Sequence, residues 1–173
     1  MTKRTAMLIV LATLASLLGG VALATTPSGL TSQLLARGAA GEFRINDRST
    51  GLKIDAKSPT DVALVRATLA PGGSTDWHGH PGPSIVVVNT GTLTMYEPTH
   101  RDHGDAGGLA SARRHGRCST QTFGPGQAFV HPERVHNFVN RTSTPVEFYV
   151  VYLVPAGATP LLTDVPVPSS QCP

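Results

Sequence analysis

Beyond its first two dozen residues this sequence has almost no helical periodicity and no internal repeat at a fixed period, which argues against helical bundles and solenoids. There is no G-x-S-x-G elbow and no glycine-rich loop leading from a strand into a helix, so the usual signatures of a serine hydrolase and of a phosphate-binding fold are missing. Charge of one sign is also scarce. The formal net charge is +3, and it falls to +1 once the two positive charges of Lys3 and Arg4 are set aside. The later basic residues Arg113, Arg114 and Arg117 sit in a Gly-rich stretch without interleaved aromatics. They read as solvated surface, and no nucleic-acid partner is expected. Cysteine is limited to Cys118 and Cys172.

What the sequence does have begins with a leader. Lys3 and Arg4 precede an apolar run from Ala6 to Leu18, a Gly-Gly break and Ala22-Leu23-Ala24. That order predicts a signal peptide over residues 1–24 and a mature chain starting near Thr25. An uncleaved anchor is the competing reading, but the run is short for a span and ends in a small-x-small pattern instead of a charged stop. No cysteine follows for lipid attachment. The expectation is a secreted or periplasmic protein with no stable membrane association after cleavage. In that setting an even cysteine count favours a Cys118–Cys172 disulfide over two free thiols. Such a bond would tie the C-terminal tail to the end of a long loop and contribute about 4 kcal/mol in the loop-entropy model.

The 173 residues favour one domain. Short alternating segments recur at Leu52–Asp55, Val62–Leu69, Leu93–Glu97 and Val146–Val154, each bounded by Gly, Pro, Asn or Asp. This is the pattern of an all-β sandwich or barrel. Ile85–Val88 is continuously apolar, as expected of a strand covered on both sides. Thr31–Arg37 fits a short helix or an edge strand and leans to strand. The predicted organisation is an N-terminal extension with edge strands over 25–61, a barrel over 62–155 with a loop insertion at 97–117, and a Pro-rich tail over 156–173.

The chemistry centres on "STDWHGHPGPSIVVVNTG". His78 and His80, two residues apart on a strand, share one face, and in a small barrel that face is the lumen. A third histidine, His136, lies in "FVHPERVHNFVN", a second turn-and-strand unit. These segments resemble the paired motifs of the cupin superfamily. The first, G-x5-H-x-H-x3-4-E-x6-G, is matched by Gly72, His78, His80 and Gly91, with Ser84 at the glutamate position. The second, G-x5-P-x-G-x2-H-x3-N, is matched by Gly126, Pro132, His136 and Asn140; Arg134 replaces the glycine and His136 arrives one residue early. The resemblance covers roughly Val62 to Val154, and the whole chain looks like small secreted bacterial cupins. It implies an all-β double-stranded β-helix, a jelly-roll barrel whose motif side chains point inward and hold one divalent metal. It also leaves open a homodimer through edge strands.

Carried over residue by residue, the resemblance makes His78, His80 and His136 metal ligands and leaves Ser84 without a match. Three neutral imidazoles suit Fe, Zn, Cu, Mn or Ni and leave positions open for water or substrate. Without a carboxylate the ion keeps its full charge and favours anions. Alternatively the glutamate and the metal were lost together, leaving a pocket that only binds. Ser84, Asp76 and His131 are candidates for groups behind the ligands or beside a substrate. Asp76 either orients an imidazole or caps the turn after Gly73, and His131 is either an acid–base group at the barrel mouth or a partly exposed turn residue. Glu97 either supplies the missing carboxylate or, the better reading, is a solvent-facing strand end; His100, His103 and Asp105 read as part of a Gly-rich loop insertion or lid sooner than as a separate metal site, and Trp77 and Phe138 as pocket wall. The function expected is metal and small-molecule binding, with a dioxygenase- or isomerase-type metalloenzyme as the alternative.

Overall fold

The computed structural model describes residues 26–98, 118–165 and 172. The leader, the 99–117 stretch with His100, His103 and Asp105, and residues 166–171 and 173 of the Pro-rich tail lie outside the described residues. Every regular element among the described residues is a strand: β1 (Ser28–Asn46), β2 (Lys53–Ser74), β3 (His78–Gly79), β4 (Ser84–Thr90), β5 (Leu93–Pro98), β6 (Cys118–Phe123), β7 (Ala128–His131), β8 (Asn137–Val139), β9 (Val146–Pro155) and β10 (Thr163–Asp164). Thr31–Arg37, which leaned to strand, is the middle of β1. No helix among these residues is long and apolar enough to cross a membrane.

The alternation read from the sequence sets the core. In β2 the side chains of Ala63, Val65, Ala67 and Leu69 turn inward, and in β9 those of Val146, Phe148, Val150, Tyr152 and Val154 do the same. The two strands pair antiparallel from Thr60↔Pro155 to Leu69↔Val146, which puts both apolar sets on one face. The main sheet runs β6-β5-β8-β2-β9-β4-β7, with β1 added along β2. Its end strands β6 and β7 are consecutive in the chain and joined by a tight turn, where Phe123 stacks on Phe129 at 4.0 Å between ring centroids. That contact brings the two ends of the sheet together, so the antiparallel barrel is nearly closed. Phe138 and Phe148 meet edge to face inside it.

One expectation fails. Ile85–Val88 is not covered on both sides: Val86 and Val88 are fully buried, while Ile85 and Val87 are 37% and 39% exposed. A continuous apolar run hides a strand with one wet face, because β-branched residues suit the pleat on either side. The bounds of the loop also shift, since Glu97 and Pro98 still pair with Ser119 and Cys118. The N-terminal extension is far longer as a strand than its pattern suggested. β1 spans 19 residues, and beyond the barrel its Phe43–Asn46 pair with β2's Lys53–Ala56 as a two-stranded arm.

Two motif residues prove to be structural. Gly91 ends the first motif at φ +75°, and a Cβ there would lie 2.8 Å from the Pro145 carbonyl oxygen, so the β4–β5 turn requires glycine. Asn140 ends the second motif and is fully buried. Its Nδ2 donates to the carbonyls of Leu69, Ala70 and Thr144, and its Oδ1 accepts from the Thr142 backbone and hydroxyl. It ties the β8–β9 connection to the end of β2's buried stretch.

Candidate metal centre

β2 breaks after Ser74, and the break aims the histidine pair. Asp76 takes φ 56°; its carboxylate accepts the Trp77 backbone N–H, and its own N–H is donated to the Ser74 hydroxyl. The turn returns the chain as β3, so that His78 faces inward against His136. Those two residues exchange paired backbone hydrogen bonds at 3.0 Å. The backbone therefore fixes two of the three rings against each other. His80 follows β3, which pairs with β10 from the C-terminal tail.

Each of the three rings is held at Nδ1 by a carbonyl oxygen: His78 by Asp76 at 2.8 Å, His80 by Leu161 at 3.0 Å, and His136 by Arg134 at 3.1 Å. A carbonyl only accepts, so each Nδ1 carries the proton and each Nε2 offers a lone pair. The ring centroids are 4.3 to 5.0 Å apart, and one nitrogen from each ring falls within 4.8 Å of the others. The His136 Nε2 is buried without a hydrogen-bond partner. A ring nitrogen stripped of water and left with a free lone pair, beside the rings of two more histidines, has the donor chemistry of a transition-metal site. The residues present fit the metal that the motifs imply.

Burial keeps these imidazoles neutral. It holds the pKa of His78 at about 4 and that of His80 at about 4, and it pushes His136 well below its ordinary value. Neutral rings are ready to ligate at pH 7 without first losing a proton. The sign for stability follows. In the unfolded chain these groups protonate near pH 6.5, whereas in the fold they resist until about 4. The unfolded state therefore binds more protons across that window. The metal-free protein is expected to lose stability steadily as pH falls from about 6.5 to about 4. Urea midpoints measured at pH 7, 5.5 and 4 check this; a flat profile would contradict it.

The remaining candidates divide. Ser84 is 1% exposed and lines the same cavity as His78 and His80, and its hydroxyl has no partner. His131 is not a partly exposed turn residue: it ends β7 at 2% exposure and packs on His136 at 4.0 Å between centroids. Its Nε2 lies 2.9 Å from Glu97, so Glu97 turns toward the site and is not the solvent-facing strand end its position suggested. The Asp76 carboxylate makes the turn, and only its backbone carbonyl orients His78. Trp77 and Phe138 are buried, and Phe138 lines the cavity, as expected of wall residues.

Two contributors were missed. The tail places the Leu161 carbonyl on His80, and nothing in a Pro-rich end announces a single carbonyl. Tyr152 packs 4.9 Å from His80, and its inward parity on β9 with Val150 and Val154 was the available signal. The lumen beside the cluster is a small apolar cavity of about 20 Å³, lined by residues such as Val65, Val86, Phe148 and Tyr152. Outside it, Glu133 and Arg134 line a second hollow that shares His80.

An inward-facing histidine trio in a nearly closed antiparallel jelly roll defines a cupin-type barrel, and the chain has the cupin fold. No protein-family model matches the sequence, and no curated protein does. Among solved structures it is similar to Peruvianin-I, a cysteine peptidase from Thevetia peruviana latex, with 19% identity, 83% of this chain and 74% of that chain covered, and a TM-score of 0.51. It is also similar to the polyketide cyclase RemF from Streptomyces resistomycificus, with 22% identity, 82% and 75% covered, and a TM-score of 0.49. A cupin domain from Bordetella pertussis is matched at 19% identity over 75% of this chain and 97% of that one, with a TM-score of 0.44.

Proposed function

We propose that this protein is an exported metal-binding cupin whose His78, His80 and His136 hold one divalent transition metal and present it to a small anionic molecule. The observation that carries the reading is the shared arrangement of the three rings: each is tied at Nδ1 to a carbonyl, and one nitrogen from each lies within 4.8 Å of the others. Three imidazoles add no negative charge. Such an ion supplies Lewis acidity and open coordination positions. The chain's own groups would do the rest. The lumen's apolar walls exclude water, and the unpartnered Ser84 hydroxyl offers a hydrogen bond to whatever enters. The Cys118–Cys172 disulfide supports export to an oxidising compartment. A dioxygenase- or isomerase-type reaction would use the same open positions and remains the second reading.

Cobalt(II)-loaded protein titrated with azide tests the open positions. The expected result is a saturable change in the visible ligand-field bands. Unchanged bands would mean a coordinatively closed ion, and the anion-binding reading would fall.

A further inference from the structure

The first motif lacks its glutamate, and the structure shows what stands in its place. Ser84 and His131 are directly opposed across the β4–β7 ladder. Opposed residues carry their side chains on the same face of the sheet, with Cβ atoms about 5 Å apart. Both side chains are buried, and each has one polar atom without a partner: the Ser84 Oγ and the His131 Nδ1. The short serine lines the cavity on that face where a glutamate would reach inward.

His131 follows the same bonding rule as the three clustered histidines with its two nitrogens exchanged. Its Nε2 sits 2.9 Å from the Glu97 oxygen. A carboxylate accepts only, so Nε2 carries the proton and Nδ1 keeps the lone pair. A carboxylate behind one ring nitrogen and a bare lone pair on the other is the usual dressing of a ligating histidine. A histidine with no ligand to meet has little reason to bury an unpartnered nitrogen, because a buried polar atom without a partner loses its water and gains nothing in return. The ring lies 4.0 Å from the His136 ring, outside the trio whose nitrogens fall within 4.8 Å of one another. Reaching a shared ion therefore requires the side chain to turn toward Ser84.

We propose that His131 is the fourth protein donor of the metal centre, entering through Nδ1 with Glu97 as the carboxylate behind it, so that this pair replaces the motif glutamate. The inference rests on the metal-binding reading above. The arrangement moves the negative charge one residue outward. The ion would meet four neutral nitrogens, with Glu97 charging the centre only through His131.

The test counts imidazoles. Wild type, His131→Phe and Glu97→Gln are loaded with cobalt(II), imidazoles are counted by X-ray absorption, and zinc affinity is measured against a competing chelator. Circular dichroism checks that each variant is folded. Four imidazoles are expected in wild type and three in His131→Phe, with zinc affinity down about tenfold to a hundredfold in the latter and less in Glu97→Gln. Adding Ser84→Glu to His131→Phe should restore most of the affinity by returning a carboxylate to the motif position. Three imidazoles in both wild type and His131→Phe, with equal affinity, would overturn the fourth donor and leave the three-histidine centre standing. Should His131→Phe fail to fold, an unchanged affinity in Glu97→Gln together with a wild-type count of three overturns it equally. Wild type that takes up no metal at all would remove the metal-binding reading and this inference together.

Discussion

Replacing His136 by alanine is expected to lower zinc affinity by more than about a hundredfold, since losing a direct ligand should exceed the 10–100-fold effect of losing a group behind one. His136 is the ring to remove for three reasons. It is fully buried, its Nε2 has no other partner, and it lies between the other candidates, 4.3 Å from His78, 5.0 Å from His80 and 4.0 Å from His131. The barrel should survive, because the contact that joins this segment to β3 is a pair of backbone hydrogen bonds that alanine retains. Competition titration with a chelator reads the affinity, and far-ultraviolet circular dichroism reads the fold. Undiminished affinity in a folded variant would place the ion elsewhere.

Opening the Cys118–Cys172 bond by the double change Cys118→Ser and Cys172→Ser is expected to cost about 4 kcal/mol of stability. The bond links the first residue of β6 to the tail across a sequence separation of 54 residues, a long loop to leave unconstrained in the unfolded chain. The effect should reach the metal site as well. The tail supplies the Leu161 carbonyl that holds His80, the β10 strand that pairs with β3, and the Val165 N–H donated to the Trp77 carbonyl. A loosened tail frees the His80 ring and should weaken zinc binding along with stability. Urea unfolding of the double variant, beside reduced wild type, measures the first effect; a loss under about 1 kcal/mol would show that the tail holds without the bond.

How far the sequence revealed all this depends on the distance over which each contact acts. The strands of the core were legible because period-two alternation is local: Val62–Leu69 and Val146–Val154 were read directly, and they pair. The wet face of β4 was not legible, since Ile85 and Val87 are as β-branched as their buried neighbours. The histidine trio was legible only because motif spacing carries long-range information that composition does not. The Ser84 mismatch was visible, but what stands opposite it was not. Ser84 and His131 are 47 residues apart, and their opposition exists only once β4 and β7 are in register. Glu97 was misread for the same reason: a charged residue at a strand end usually faces water, and only the fold shows a buried histidine beside it.

Whether the three histidines hold an ion is read from the metal content of the native protein, exported so that its disulfide can form, purified without a metal-binding tag, and assayed by mass spectrometry. Close to one divalent transition-metal ion per chain is expected in wild type, with loss of that ion in His136→Ala. A chain that holds no metal after being offered Fe, Zn, Cu, Mn and Ni would contradict it, and the barrel would then be a binding pocket in which the three histidines serve only as walls.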